Sequence, residues 1–215
     1  MWKRGQGMDV VTYKGNGTAG RQIFHSLAQT PEMIWVKCSS ANGWAVGHKG
    51  LNGGTNPWQY NLKLNEDAAE ENYTNRWNDT APNSTVFTVG TSNRVNLSGD
   101  SYTACLFASA NDADGNPISK VGYYDGTGSE FTVTTGFQPR FVIIKASNNN
   151  RGWTVMDTLR GWGAGVDNKI YLNDNSAQVN TWNYGEPTST GFKVSADPQY
   201  DINYTGWKYI YYAHA

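Results

Sequence analysis

The chain repeats itself, and the repeat limits what it can fold into. Val10-Val-Thr-Tyr-Lys-Gly-Asn-Gly-Thr18 aligns with Val121-Gly-Tyr-Tyr-Asp-Gly-Thr-Gly-Ser129. Pro31-Glu-Met-Ile-Trp-Val-Lys37 aligns with Pro139-Arg-Phe-Val-Ile-Ile-Lys145, and each is followed by a polar loop and a Gly-Trp pair, Gly43-Trp44 and Gly152-Trp153. Leu62-Lys-Leu-Asn65 then meets Ile170-Tyr-Leu-Asn173. Trp77 and Phe87-Thr-Val89 meet Trp182 and Phe192-Lys-Val194, and Tyr102–Phe107 meets Tyr209–His214. The order is kept at an offset of about 108 positions, the mark of two copies of one structural unit. The expected organisation is a first repeat over 1–110, a linker over 111–116 and a second repeat over 117–215. The linker is placed where Asn111-Asp-Ala-Asp-Gly-Asn116 offers turn formers and little apolar surface.

Each half reads as short strands between turns. In the first they are Val10–Tyr13, Ile23-Phe24, Met33–Val36, Trp44–Val46, Tyr60–Leu64, Val86–Val89 and Tyr102–Phe107. About seven strands in about 100 residues is the count of a small β-sandwich. The expected class is therefore all-β, two tandem, duplicated sandwich units of jelly-roll-like character, with a barrel as the alternative sheet order. Met33–Val36 is continuously apolar, as for a strand covered on both faces. Glu66–Glu71 and Asp174–Gln178 each have room for a single helical turn.

Composition narrows function. Aromatic residues make up 13% of the chain and charged residues only 16%, so the polarity comes from Asn, Thr, Ser and Gly, which suits strands and tight turns more than helices. A net charge of −1 lacks the basic footprint of a nucleic-acid binder. No apolar run reaches the length of a membrane span, and no apolar stretch follows Met1-Trp-Lys-Arg4 to make a signal peptide. The two cysteines, Cys38 and Cys105, are too few for a disulfide framework and read as buried thiols or a single bridge.

No catalytic constellation is expected. The histidines His25, His48 and His214 have no histidine counterpart in the other half; His25 and His48 read as loop or strand-edge residues, and His214 aligns with Phe107. The sequence has no Gly-x-Ser-x-Gly elbow, no His-Glu-x-x-His and no Cys-x-x-Cys. Asn111–Asn116 echoes the opening of a calcium loop but lacks its closing Glu, so neither a metal nor a cofactor is expected. Gly15-Asn-Gly17 and Gly126-Thr-Gly128 precede no helix and read as hairpin turns, not phosphate loops. Tryptophans carry the remaining signal. Trp35, Trp44 and Trp153 lie in strand patterns and read as core. Trp58, Trp77, Trp162 and Trp182 lie in Gly-, Asn- and Pro-rich loops and are the candidate binding residues. Trp77 and Trp182, matched between halves, also suit plugs at the sandwich ends. Trp58 and Trp162 are unmatched and are expected at a contact with a neighbouring subunit or a glycan.

Trp2-Lys-Arg-Gly5, Asp9-Val-Val-Thr-Tyr13, Gly20-Arg-Gln-Ile-Phe-His-Ser-Leu27, Trp77-Asn-Asp-Thr-Ala-Pro82, Gly136-Phe-Gln-Pro-Arg-Phe141 and Tyr209-Ile-Tyr-Tyr-Ala-His-Ala215 together resemble a domain repeated in virion structural and tail-fibre proteins of marine phages, cyanophages included. The resemblance covers nearly the whole chain. It implies a non-enzymatic virion protein, made in the host cytoplasm and carried on the particle, whose Met1 need not be a native start. A tail-fibre or appendage module that assembles with other virion proteins and with itself, or attaches to host surfaces, is the first expectation. A capsid decoration protein or a lectin-like carbohydrate-binding module are the alternatives.

Overall fold

The computed structural model describes residues 5–40, 43–196 and 201–215, and divides into two units. Unit 1 runs to Ser109 without Glu66–Ala69; unit 2 is Ala110–Ala215 together with Glu66–Ala69. Unit 1 contains β1 (Met8–Lys14), β2 (Arg21–Phe24), β3 (Met33–Cys38), β4 (Trp44–His48), β5 (Tyr60–Asn61), β6 (Glu71–Asn72), β7 (Val86–Val89) and β8 (Ser101–Phe107). Unit 2 contains β9 (Ala110–Asn111), β10 (Pro117–Asp125), β11 (Phe131–Thr134), β12 (Phe141–Ala146), β13 (Thr154–Asp157), β14 (Lys169–Tyr171), β15 (Pro187–Thr188), β16 (Gly191–Val194) and β17 (Lys208–His214). The class is all-β: all strand pairing is antiparallel and the only helical pieces among the described residues are short 3-10 turns.

In unit 1 the main sheet has the order β1-β8-β3-β4, and a second sheet pairs β2 with β7. First strand beside last and second beside next-to-last is the nested pairing of a jelly-roll wrap. Alternation puts Ile34, Val36, Ala104 and Leu106 on one face of the main sheet, where they meet Ile23, Phe87 and Val89 of the smaller sheet in one core. Unit 2 repeats the order as β10-β17-β12-β13 and β11-β16, then extends it with β9, β14 and β15. Its core joins Val142, Ile144 and Tyr211 to Val133, Phe192 and Val194. Met33, Trp35 and Val46 on the opposite face of the first main sheet are buried as well, which explains the unbroken apolar run of β3.

The same polar staples recur in both units. Tyr13 Oη donates to the Val95 carbonyl at 2.7 Å, and Tyr124 Oη to that of Ile202 at 2.8 Å. Buried Asn96 accepts from the Asn16 N–H and donates to the Thr18 and Gly90 carbonyls; buried Asn203 accepts from the Thr127 N–H and donates to those of Ser129 and Ser195. The Asn of the Leu-x-Leu-Asn motif receives the N–H of the Gly-Trp tryptophan, Asn65 from Trp44 at 2.9 Å and Asn173 from Trp153 at 2.7 Å. Each staple satisfies loop backbone that would otherwise be stranded away from water. Trp153 is buried as expected of a core residue, whereas Trp44 is only half-buried.

Three expectations are corrected. Residues 111–116 do not link the units: β9 and β10 pair, Asn111 opposite Pro117, so the segment is a hairpin loop inside unit 2. The Asp112 carboxylate holds that loop through the N–H groups of Asp114 and Asn116, which keep it below the usual carboxylate range. Neither Glu66–Glu71 nor Asp174–Gln178 is helical. The Asp67 carbonyl accepts from the Arg151 N–H, the Ala69 N–H donates to Asn150, and Asp174 caps the Ser176 N–H, so the groups a helical turn needs are already engaged. Finally, His48 is fully buried at the end of β4, its Nδ1 accepting from the Gly50 N–H. The two cysteines are not bridged; Cys38 is buried, and burial pushes the half-buried Cys105 thiol up.

Glu32 clamps the start of β3 to the ends of β4 and β8. Its carboxylate takes Lys49 Nζ at 2.5 Å and the Ser109 N–H at 2.7 Å. Burial alone would raise this carboxyl, but the hydrogen bonds from Lys49 and Ser109 outweigh it and hold the group below its ordinary range. A depressed carboxylate stabilises the fold above its unfolded value of about 4.3, and the contribution is lost as pH falls through the folded value. Glu32→Gln is therefore expected to lower the thermal midpoint of unit 1 near neutral pH and to make it less sensitive to acid below about pH 4. Thermal unfolding across pH checks this; parallel curves for variant and parent would overturn it.

Candidate functional site

Most of the candidate tryptophans turn out to be structural. Trp77 is completely buried, with its ring edge-on to Trp58 at 5.9 Å, and Trp58 is only 7% exposed. Trp162 is 3% exposed and lies edge-on to Phe192 at 6.2 Å. Trp58 and Trp162 therefore sit in the cores of their units instead of at a contact surface. The loops that carry them fold back over the sheets because an indole gains more by leaving water than a Gly- and Asn-rich loop loses by ordering. Trp58 borders a recess of about 190 Å³.

Trp182 is different: 42% of it is exposed, so it plugs nothing. Its match to Trp77 in sequence is a slip. The residue after β7, Gly90, donates its N–H to the Arg76 carbonyl, and the residue after β16, Ser195, donates to that of Tyr184. Arg76 and Tyr184 are thus counterparts, and Trp182 lies two residues upstream on the surface. There it stands at the rim of a cleft of about 440 Å³ in unit 2.

The buried part of this cleft comes from β14 and the chain before β17. Lys169 and Tyr171, two residues apart on a strand, point the same way. Lys169 Nζ forms an ion pair with Asp201, both side chains buried, and bonds to Tyr171 Oη at 2.7 Å. The ammonium also sits 4.3 Å from the ring centre of buried Tyr184 and 4.8 Å from that of Tyr171. Carboxylate, hydroxyl and two ring faces together replace the water that the buried ammonium has lost. Tyr171 fits because Gly152 has no side chain: a Cβ there would come within 2.5 Å of the tyrosine ring.

The exposed part comes from Asp67, Asn150 and Thr181, with Trp182. The Trp182 loop is tied down by Asp167, whose N–H donates to the Trp182 carbonyl at 2.9 Å and whose carboxylate accepts from the Tyr184 N–H at 2.6 Å. Burial pushes the Asp167 carboxyl above its ordinary range, against the pull of backbone hydrogen bonds from Gly163 and Tyr184. Asn150 is held by the Ala69 N–H at 3.0 Å. Two acids, Asp67 and Asp201, face two bases, Arg151 and Lys169, so the lining has no net formal charge.

Unit 1 builds something else at the corresponding place. Asn61 stands where unit 2 has Lys169, and it accepts from Arg76 Nε at 3.0 Å, while the guanidinium lies over Tyr73. Sequence reasoning missed Lys169, Tyr171 and Asp201 because each is an ordinary strand or loop residue alone; only the departure of Lys169 and Asp201 from Asn61 and Arg94 marked the second half as different.

The histidines are each engaged locally. His25 contacts the Asn83 carbonyl at 3.1 Å, and His214 contacts Tyr212 Oη, with burial lowering its basicity. Among the described residues no three His, Cys, Asp or Glu side chains converge as metal ligands, and no helix is long and apolar enough to cross a membrane.

No curated protein and no solved structure matches the chain. Residues 3–215, practically its full length and both units, match the model of a domain of unknown function, DUF7483, and the chain belongs to that family.

Proposed function

We propose that the chain is a non-enzymatic structural module of a phage particle, carried on an external appendage such as a tail fibre, where it assembles with other particle proteins and copies of itself and meets the host surface. The observation that carries this reading is the repetition of one frame with different linings. Strand order, tyrosine staples and buried asparagines recur in both units, while the groups at the Lys169 and Asn61 positions do not. A frame stapled twice over by antiparallel sheet and buried polar bonds suits a part that must last outside a cell, where resistance to unfolding is kinetic. The divergent linings suit surfaces that contact different things. The resemblance to marine-phage virion proteins supplies the setting.

Mass spectrometry of purified particles tests it. The chain is expected in the particle fraction in stoichiometric amount, and immunogold is expected to label tails. Recovery only from the soluble fraction of infected cells would sink the proposal.

A further inference from the structure

We propose that the unit 2 cleft rimmed by Trp182 is a binding site for an uncharged saccharide. The proposal rests on the host-surface reading above for its biological setting and on the cleft alone for its chemistry. A volume of about 440 Å³ lies within the range of small-ligand sites and holds one or two sugar rings. A sugar ring shows a patch of C–H bonds on one face and hydroxyls around its edge. Trp182, 42% exposed and the most exposed tryptophan among the described residues, offers the flat apolar surface for the first. The Asn150 amide, Tyr171 hydroxyl and Asp201 carboxylate, all lining the same cleft, offer donors and acceptors for the second.

Charge selects against the other ligand classes. A phosphate or a uronic acid needs an excess of positive charge, but Lys169 is already neutralised by Asp201, and the one remaining base of the lining, Arg151, is offset in number by the acid Asp67. A wholly apolar ligand would strip water from the exposed Asn150 amide and Asp67 carboxylate without replacing their hydrogen bonds. A neutral polyol replaces that water group for group. The site is also set before a ligand arrives. Asp167 fixes the Trp182 loop at the Trp182 carbonyl and the Tyr184 N–H, and Asn150 is tethered through Ala69. Binding then costs little ordering of the protein.

The test uses the full chain, the Trp182→Ala variant, and Leu159→Ala as a control at an exposed residue outside the cleft. All three are applied to printed arrays of neutral and anionic oligosaccharides, and any hit is titrated by calorimetry. The expected result is retention of one or more neutral glycans by parent and control. Trp182→Ala is expected to weaken binding roughly 30-fold, as for truncation of an aromatic hot spot, with the thermal midpoint unchanged. No neutral glycan bound, anionic glycans alone bound, or equal affinity in the Trp182 variant each overturns the assignment. The particle measurement is independent of this one. A chain present in particles but blind to neutral glycans leaves the virion reading standing and removes the saccharide site; a glycan-binding chain absent from particles does the reverse.

Discussion

Replacing Trp77 with alanine is expected to destabilise unit 1 by about 3–5 kcal/mol, among the largest effects any single truncation in the chain should have. The ring is wholly buried and sits in the core with Trp58, Ile34, Phe87 and Val89. It enters against the main sheet where β4 carries Gly47: a Cβ on that glycine would come within 2.6 Å of Trp58 and 2.9 Å of Trp77. The sheet thus presents a flat spot shaped for two indoles at right angles. The cost combines lost burial with a cavity lined by rigid strand. Because the chain has two units, amide exchange read by mass spectrometry is the suitable measurement. Peptides from β3, β7 and β8 should lose protection while those from β12, β16 and β17 keep theirs. A loss below about 1 kcal/mol would show that Trp77 is not part of the first core.

That Trp77 is core was less legible than the strands around it, for a physical reason. Strands announce themselves by local pattern: Val86–Val89 and Met33–Val36 were readable because every residue in them has one fate. A tryptophan between Asn, Gly and Pro residues carries no such pattern, and its fate depends on whether a distant sheet leaves room for it. Gly47 and Gly122 are the clues, since each is a strand residue whose missing side chain is filled from elsewhere, by the Trp58–Trp77 pair and by the Tyr211 ring. Opposite Gly122 stands Tyr211, while unit 1 has Val11 opposite Ala104 in the same register, so bulk has moved across the strand pair.

Charge has moved in the same way. Glu32 pairs with Lys49 in unit 1, while its counterpart Arg140 carries the opposite sign and pairs with Asp157 at 3.6 Å, a residue in register with His48 and not with Lys49. Trp182 came to be aligned with Trp77 for a different reason: both stand in loops ahead of β7 and β16, where no strand pattern fixes the register. The hairpin at 111–116 misled for another reason: Asn, Asp and Gly favour a turn equally whether it separates two units or two strands of one unit.

Lys169→Met is expected to cost unit 2 about 3–5 kcal/mol, and adding Asp201→Leu is expected to recover most of the loss. The ion pair has side-chain exposures of 2% and 8%, so neither charge can turn to water when the other is removed. With the ammonium gone, Asp201 keeps one weak donor, Tyr171 Oη at 3.3 Å, beside two tyrosine rings whose negative faces had been turned toward the lysine. The isolated carboxylate bears the penalty of a buried, unpaired charge. In the double variant that penalty disappears, because an apolar pair of similar volume needs no partner. Urea unfolding of the parent, both single variants and the double variant closes the cycle. Equal losses in the single and double variants would mean that the pair is solvated in solution and contributes nothing as a unit. The cleft gives the same four proteins a second readout. The double variant has lost the ammonium and carboxylate beneath Trp182, so it should remain folded yet fail to retain a neutral glycan, separating what holds unit 2 together from what the cleft recognises.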